Sequence, residues 1–466
     1  MKDLTQGNIP KQIFYFTLPM LIGNVFQQLY NTVDSIVIGK FEGTEALAAV
    51  GSSFPIIFLL VALLMGITMG ATILVSQYFG AKDFRMVKKT VTTTYIFLFF
   101  ASLLTTIIGL TFSSNILLFL NTPPSVLPLA QTYLNIMFIG MVSMFGYNAI
   151  SAILRGVGDS KTPLIFLIIS SVINILLDLL FVGVFRWGVA GVAWATIIAQ
   201  TSSFIFGLYY LRKNNSILYV SLKDLTFDKG IFAKSLKIGI PTGIQQTLFS
   251  LGMLAVQRMV NSFGEITMAA YTAAGRIDSF AIMPFMNFGT AISTFVGQNI
   301  GANKLHRVKK GYLTTVLMTT VTAAFVTITL YFLGEPLIKL FDSNPDVINI
   351  GLRKIRIVST FYILIGIMFV TLGVIRGAGD AFVPMIISIL TLWLIRIPVA
   401  SLLIPYLGSD GIWWSFPIGW AVGIVLSLGY YSTGRWKNKA VIKHKPLVEV
   451  DEDDSEFKME VATNAR

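Results

Sequence analysis

Residues 75–89 read VSQYFGAKDFRMVKK and residues 296–310 read VGQNIGANKLHRVKK, two stretches of one pattern separated by 296 − 75 = 221 positions. A second pair, ILRGVGDSKTP at 153–163 and VIRGAGDAFVP at 374–384, has the same offset, 374 − 153 = 221. Two independent matches at one separation define a duplicated unit of about half the chain. The polypeptide is therefore read as two lobes.

Working outward from these motifs, apolar runs near the ~20 residues that span a bilayer recur along the chain. Twelve are predicted, at 13–38, 48–77, 91–120, 127–154, 163–185, 189–211, 231–260, 268–296, 308–333, 357–375, 383–404 and 412–431. In 466 residues, 55% are apolar and only 12% charged, and the mean hydropathy is +0.74, too few charges to solvate a soluble surface of this size. The fold class expected is all-α integral membrane: twelve transmembrane helices in two six-helix repeats around a central cleft. Six spans per repeat is an even number, so the second copy starts on the same side as the first and the repeats are parallel.

The expected division is an N-lobe at 1–212, a linker at 213–230, a C-lobe at 231–433 and a polar, acidic tail at 434–466. Lysines and arginines crowd one set of loops, among them Lys82, Arg85, Lys88, Lys89, Arg155, Lys161, Lys304, Arg307, Lys309 and Lys310. The opposite loops carry Glu42, Glu45, Glu265, Glu335 and Asp410. By the positive-inside rule both termini lie in the cytoplasm, across a prokaryotic cytoplasmic membrane. The formal charge of +12 is spread over these short loops, where anionic lipid accounts for it, so no nucleic acid partner is expected.

With no cysteine and two histidines, His306 and His444, outside the spans, neither a thiolate site nor an intramembrane histidine metal site is expected. RGVGD and RGAGD follow no strand, and no GxxxxGK[ST] accompanies them, so they read as turns and nucleotide-driven transport is not expected. No apolar-run signal peptide is expected either. An enzyme would need an acid/base set with a nucleophile, and none is visible.

Ionisable residues inside spans are costly and mark function. The first span holds one charged side chain, Asp34, and the fifth holds one, Asp178. Counting from Lys40 and Arg186 at about 1.5 Å per residue puts both roughly 9–12 Å below the outer helix ends. Asn174, four residues before Asp178, shares its face; Asn24, Gln27, Asn31 and Asp34 form a polar stripe, with Tyr30 also four residues from Asp34. Thr196 lies at a similar depth. A buried hydrogen-bond network that only fixes packing is the competing reading. The C-lobe does not repeat this chemistry: Pro19 has a partner in Pro241, but Asp34 aligns near Val256 and Asp178 near Val399. Its own set is Arg258, Arg276, Asp278 and Arg396, with Asp278 expected to pair with Arg276 or Arg396.

The paired repeats, the proline-bearing first helix LPMLIGNVFQQLYNTVDSIVIG at 18–39, the VSQYFGAKD and VGQNIGANK pair and the two RG[VA]GD turns resemble the multidrug and toxic compound extrusion (MATE) family. The lone first-span acid, the NxxxD of Asn174 and Asp178 and the absence of an acid in the seventh span resemble its DNA-damage-inducible-protein-F (DinF) branch. The resemblance implies a secondary active exporter, not an enzyme, that exchanges protons, or alternatively sodium, for cationic, amphipathic organic compounds. It carries no cofactor, sits among membrane lipids and is expected as a monomer. Asp34 would be the coupling carboxylate, with Tyr30, Asn174, Asp178 and Thr196 as partners; a sodium ion would sit among Asp34, Asn174, Asp178 and Thr196. Gln27, Asn31, Tyr133, Met137 and Asn148 would line the substrate wall, and Pro19 would be the hinge. The alternative function is a flippase for a lipid-linked precursor. That reading predicts several arginines or lysines in the cleft, and the N-lobe interior is expected to hold none.

Overall fold

The computed structural model describes residues 1–214, 217–221 and 225–442. The acidic tail residues Glu449 to Glu456 therefore lie outside the described residues. Asn8 opens the first span by accepting the Lys11 N–H at 3.0 Å, which satisfies one free donor of the first turn. The N-lobe spans are α1 (Ile9–Phe41), α2 (Gly43–Gly80), α3 (Phe84–Phe119), α4, broken into Leu127–Ile139 and Met141–Gly156, α5 (Lys161–Val184) and α6 (Gly188–Asn214). The C-lobe repeats them as α7 (Lys229–Asn261), α8 (Glu265–Gly301), α9 (Leu305–Lys339), α10, broken into Pro345–Thr360 and Tyr362–Gly377, α11 (Phe382–Leu407) and α12 (Asp410–Ser432).

Eight of these helices are long and apolar enough to cross a membrane, and counting each bent pair as one span makes ten. The other two, α1 and α7, have 33 residues each, which spans a bilayer at about 1.5 Å per residue. Their polar faces lower the hydropathy. Pro19 and Pro241 both lie within unbroken helix. One boundary is corrected: α10 begins at Pro345, well before the expected 357. Its first half carries Arg353, Lys354 and Arg356, which hide it from a hydropathy reading, yet Lys354 is buried.

The duplication extends to local geometry. The halves of α4 are bent by 51° and those of α10 by 48°. The breaks fall at Gly140 and Phe361, 361 − 140 = 221 apart. Lys82 and Asn303, again 303 − 82 = 221 apart, turn the chain with φ of 58° and 59°. The motifs that reveal the repeat are also the contact between the lobes. Gln77 donates to Gly377 O at 3.0 Å, and its repeat partner Gln298 donates to Gly156 O at 3.0 Å. Each glutamine's Oε1 then accepts a backbone N–H, from Val441 at 2.8 Å and from Leu4 at 2.9 Å. A Cβ at Gly80 would lie 1.9 Å from Gln298 O and one at Gly301 1.9 Å from Gln77 O. Only glycine lets α2 and α8 meet this closely.

All of these contacts lie at the end of the bundle that carries the N-terminus and the basic loops, called here the basic end. Arg307 adds bonds to Leu4 O, Gly7 O and Gln12 Oε1. Asp228 caps α7 by accepting the Ile231 N–H at 3.0 Å, and that bond holds its carboxyl below the usual carboxylate range. Lys89 approaches it at 3.5 Å. In the connector, Leu218 is buried against the N-lobe. Nearer the middle, Asn24 of α1 donates to Asn287 of α8 at 3.2 Å.

The two lobes pack differently. The C-lobe has one continuous core around Trp413, Tyr362, Phe285 and Phe295. N-lobe apolar residues fall into three smaller clusters, and a cavity lies among them.

Candidate functional site

That cavity has a volume of about 350 Å³ and is walled by α1, α2, α4, α5 and α6, with Met286, Asn287 and Thr290 of α8 closing one side. Five methionines, Met20, Met65, Met69, Met144 and Met286, give it an apolar and adaptable surface. Pro19, Gln27, Tyr30, Asn148, Asn174 and Thr196 line it. Its extent along α5 runs from Ser160 to Asn174, 14 residues or roughly 20 Å at the helical rise.

Beyond Tyr30, Asn174 and Thr196 sit the two acids. Asp34 comes from α1, and Asp178 from the point where α5 passes from α-helix to the π-helical turn Leu179–Val184. The side chains of Asp34 and Asp178 approach one another. Asp34 Oδ1 and both oxygens of Asp178 are buried without a hydrogen-bond partner. So are both amide atoms of Asn174 and the Thr196 hydroxyl. Buried polar atoms are otherwise nearly always satisfied, so a cluster of orphaned ones is a site for an ion, a proton or water. Tyr30 lies beside Asp34, Asp178, Tyr133 and Gln200.

Five of the residues singled out in the sequence, Tyr30, Asp34, Asn174, Asp178 and Thr196, thus gather at one end of the cavity. Those expected on the substrate wall divide. Gln27 and Asn148 line the cavity. Tyr133 instead faces Asp34 and Asp178, Met137 packs into the core with Val37 and Ile197, and Asn31 is on an exposed face off the cavity. Gln200 was missed; it lies four residues after Thr196, a helical spacing that signals it. Arg155 was missed too. It reads as a loop residue of the RGVGD turn but lies in helix and lines the cavity, which corrects the expectation of an N-lobe interior free of arginine and lysine.

The C-lobe expectation is corrected as well. Asp278 accepts from Lys354 Nζ at 2.5 Å and from the Tyr362 hydroxyl at 2.5 Å, not from Arg276 or Arg396. Arg396 stacks 3.2 Å over the Phe416 ring. Arg276 lines an apolar groove with Phe280, Phe325 and Phe341. Lys354 and Tyr362 flank the break in α10, so Asp278 ties its two halves together.

The MatE family model matches residues 19–180 and 241–402, one match per lobe, with starts 241 − 19 = 222 apart. The chain is 33% identical to "Probable multidrug resistance protein YpnP" of Bacillus subtilis, over 95% of this chain and 99% of that protein. It is 34% identical to "Probable multidrug resistance protein YoeA" of the same organism, over 94% of this chain and 96% of that one. Among solved structures, it superposes with a TM-score of 0.88 at 24% identity on an outward-facing MATE family transporter of the MOP superfamily, covering 94% of this chain and 99% of that one. That likeness speaks to fold alone. With both repeats matched and the whole lobe architecture shared, the chain belongs to the multidrug and toxic compound extrusion (MATE) family.

Proposed function

We propose that this protein is an exporter of cationic, amphipathic organic compounds in a bacterial cytoplasmic membrane, driven by proton exchange at Asp34 and Asp178. The observation that carries the reading is the facing pair of carboxyls whose buried oxygens lack a partner. Two carboxyls facing each other away from water do not both hold a charge unless a proton or a cation lies between them. Tyr30, Asn174 and Thr196 connect that pair to the methionine-rich cavity, so a bound organic cation competes with the proton for one negative charge. The names of the relatives, which call them probable multidrug resistance proteins, support drug export as the activity.

The positive-inside rule makes the basic end cytoplasmic. With the lobes joined there, the arrangement is outward-facing. A proton arriving from outside neutralises Asp34, weakens its hold on the cation and lets it leave. For the gradient to drive export the proton must bind the two access states with different affinity. Pro19 removes one backbone bond from α1 and is the point at which protonation could change that helix. A sodium ion held by Asp34, Asn174, Asp178 and Thr196 is the second reading, favoured by the amide and hydroxyl oxygens beside the acids. A single arginine in the cavity falls short of the several cations a pyrophosphate-lipid flippase needs.

The test is efflux of a fluorescent cation in inverted vesicles with a proton gradient or a sodium gradient imposed separately. Proton-driven transport is expected in the wild type and its loss in Asp34→Asn, with normal expression and melting. Transport driven by sodium alone removes the proton assignment, and normal efflux by the variant removes Asp34 from coupling.

A further inference from the structure

Of the residues that line the N-lobe cavity, one carries a full charge, and it is a cation: Arg155. This is an odd occupant for the wall of a site that attracts cations. Among the described residues Arg155 has no hydrogen bond or ion pair. Its repeat partner Arg376, 376 − 155 = 221 residues on, donates from Nη2 to Gln245 Oε1 at 3.0 Å, although its Nε has no partner. The N-lobe has lost that acceptor. Taking the proline pair as the register, 241 − 19 = 222, the position of Gln245 corresponds to Gly23, which has no side chain to offer.

One helical turn before Arg155, Ser151 lies on the same face of α4. It also lines the cavity and is 2% exposed, with the Tyr147 hydroxyl beside it. Tyr147 and Ser160 line the same end. A guanidinium without an anion, with the Ser151 and Tyr147 hydroxyls beside it on one cavity wall, forms a donor set for an anionic group. Arg155 is part-buried in the last turn of α4, so a ligand in the cavity can reach its guanidinium.

We propose that Arg155 and Ser151 form an anion-binding subsite at the basic end of the cavity, which takes the carboxylate of a zwitterionic amphipathic substrate. The inference rests on the export reading and refines its substrate class. With the acid pair beyond Asn174 and the arginine near Ser160, roughly 20 Å apart along α5, a dipolar substrate lies with its cationic end toward Asp34 and Asp178 and its carboxylate toward Arg155. The methionines between accommodate the apolar body.

A zwitterionic fluoroquinolone and its ethyl ester, which lacks the anionic charge, are matched probes. Binding is measured in nanodiscs of neutral lipid and transport in inverted vesicles. Wild type is expected to bind the zwitterion more tightly than the ester. Arg155→Gln is expected to weaken the zwitterion roughly ten- to hundredfold, the range for a charge-assisted pair, and to hold or slightly tighten the cationic ester, whose repulsion by the guanidinium is removed. Arg155→Lys keeps the charge and is expected to restore much of the preference, while Ser151→Ala costs a few-fold. Equal effects of Arg155→Gln on both probes, or none on either, overturn the subsite. Should that variant fail to fold, the wild type's own preference decides, since equal affinity for zwitterion and ester is incompatible with the proposal. A preference that appears only when phosphatidylglycerol is added assigns the arginine to lipid and also overturns it. Failure of wild type to move either probe counts against the export reading itself, whereas transport of the ester with no effect of Arg155→Gln defeats this inference alone.

Discussion

Replacing Gln298 with alanine removes two buried bonds that join the lobes: the one accepted from Leu4 N–H at 2.9 Å and the one donated to Gly156 O at 3.0 Å. A buried hydrogen bond contributes about 1 kcal/mol net, and stranding its partner raises the loss, so the pair is worth about 2–3 kcal/mol. Both bonds need the lobes to touch at the basic end. If export proceeds by alternating access, the state open at that end never makes them, and their whole value falls on the equilibrium between the two states. At about 1.4 kcal/mol per tenfold, the ratio of open to closed basic ends rises roughly 25- to 150-fold. Gln77→Ala removes the repeat-related bonds to Gly377 O and Val441 N–H, and the double variant should approach the sum where the two sites are independent.

The assay is double electron–electron resonance between spin labels at exposed Lys161 and Phe382, which start α5 and α11 and are themselves 382 − 161 = 221 apart. A longer-distance population, small in wild type, should grow in Gln298→Ala. A variant that melts at a lower temperature but keeps the wild-type distance distribution would refute the reasoning, since the bonds would then stabilise the fold equally in both states.

Lys354→Met should lower stability by about 3–5 kcal/mol by leaving Asp278 buried and unpaired, and the added Asp278→Asn change should recover part of that loss; thermal melting in detergent measures it. An unchanged melting temperature would mean that the pair carries no structural weight. At fixed pH the wild type should show no saturable sodium dependence of substrate release, and Asp178→Asn should retain partial proton-driven transport. A saturable sodium response that disappears in the variant assigns the site to sodium.

The duplication, the span number and the gathering of Asp34, Asp178, Asn174, Tyr30 and Thr196 were legible because each rests on spacing. A repeat offset and a three- or four-residue helical step survive folding unchanged. What was not legible depends on how one helix faces another. Lys354 was invisible because a paired ammonium counts in hydropathy as though it were solvated, and its partner lies 76 residues away. Arg155 reads as a loop residue because the turn motif around it has the look of surface sequence, yet the helix runs on through Gly156. Tyr133 and Met137, one helical turn apart, do share one face, but that face packs into a single apolar cluster with the Tyr133 ring beside the acids, and spacing alone does not say whether a face meets a cavity or a core.

The two lobes share one scaffold and divide its labour. At the basic end the repeat is preserved nearly atom for atom, with Gln77 and Gln298 exchanging equivalent bonds across the interface, because a pseudo-twofold contact requires both halves to match. Inside the lobes that requirement lapses. The C-lobe fills its interior with aromatic residues and locks the break in α10 through Asp278, Lys354 and Tyr362, so the acid at that break is already neutralised by the protein. The N-lobe leaves its core divided, its acids without donors and its arginine without an acceptor. Unsatisfied groups destabilise a fold unless ligands complete them. In the export proposed above, the proton and the substrate would complete the groups that the N-lobe leaves open, whereas the C-lobe completes the corresponding groups at its α10 break from within the protein.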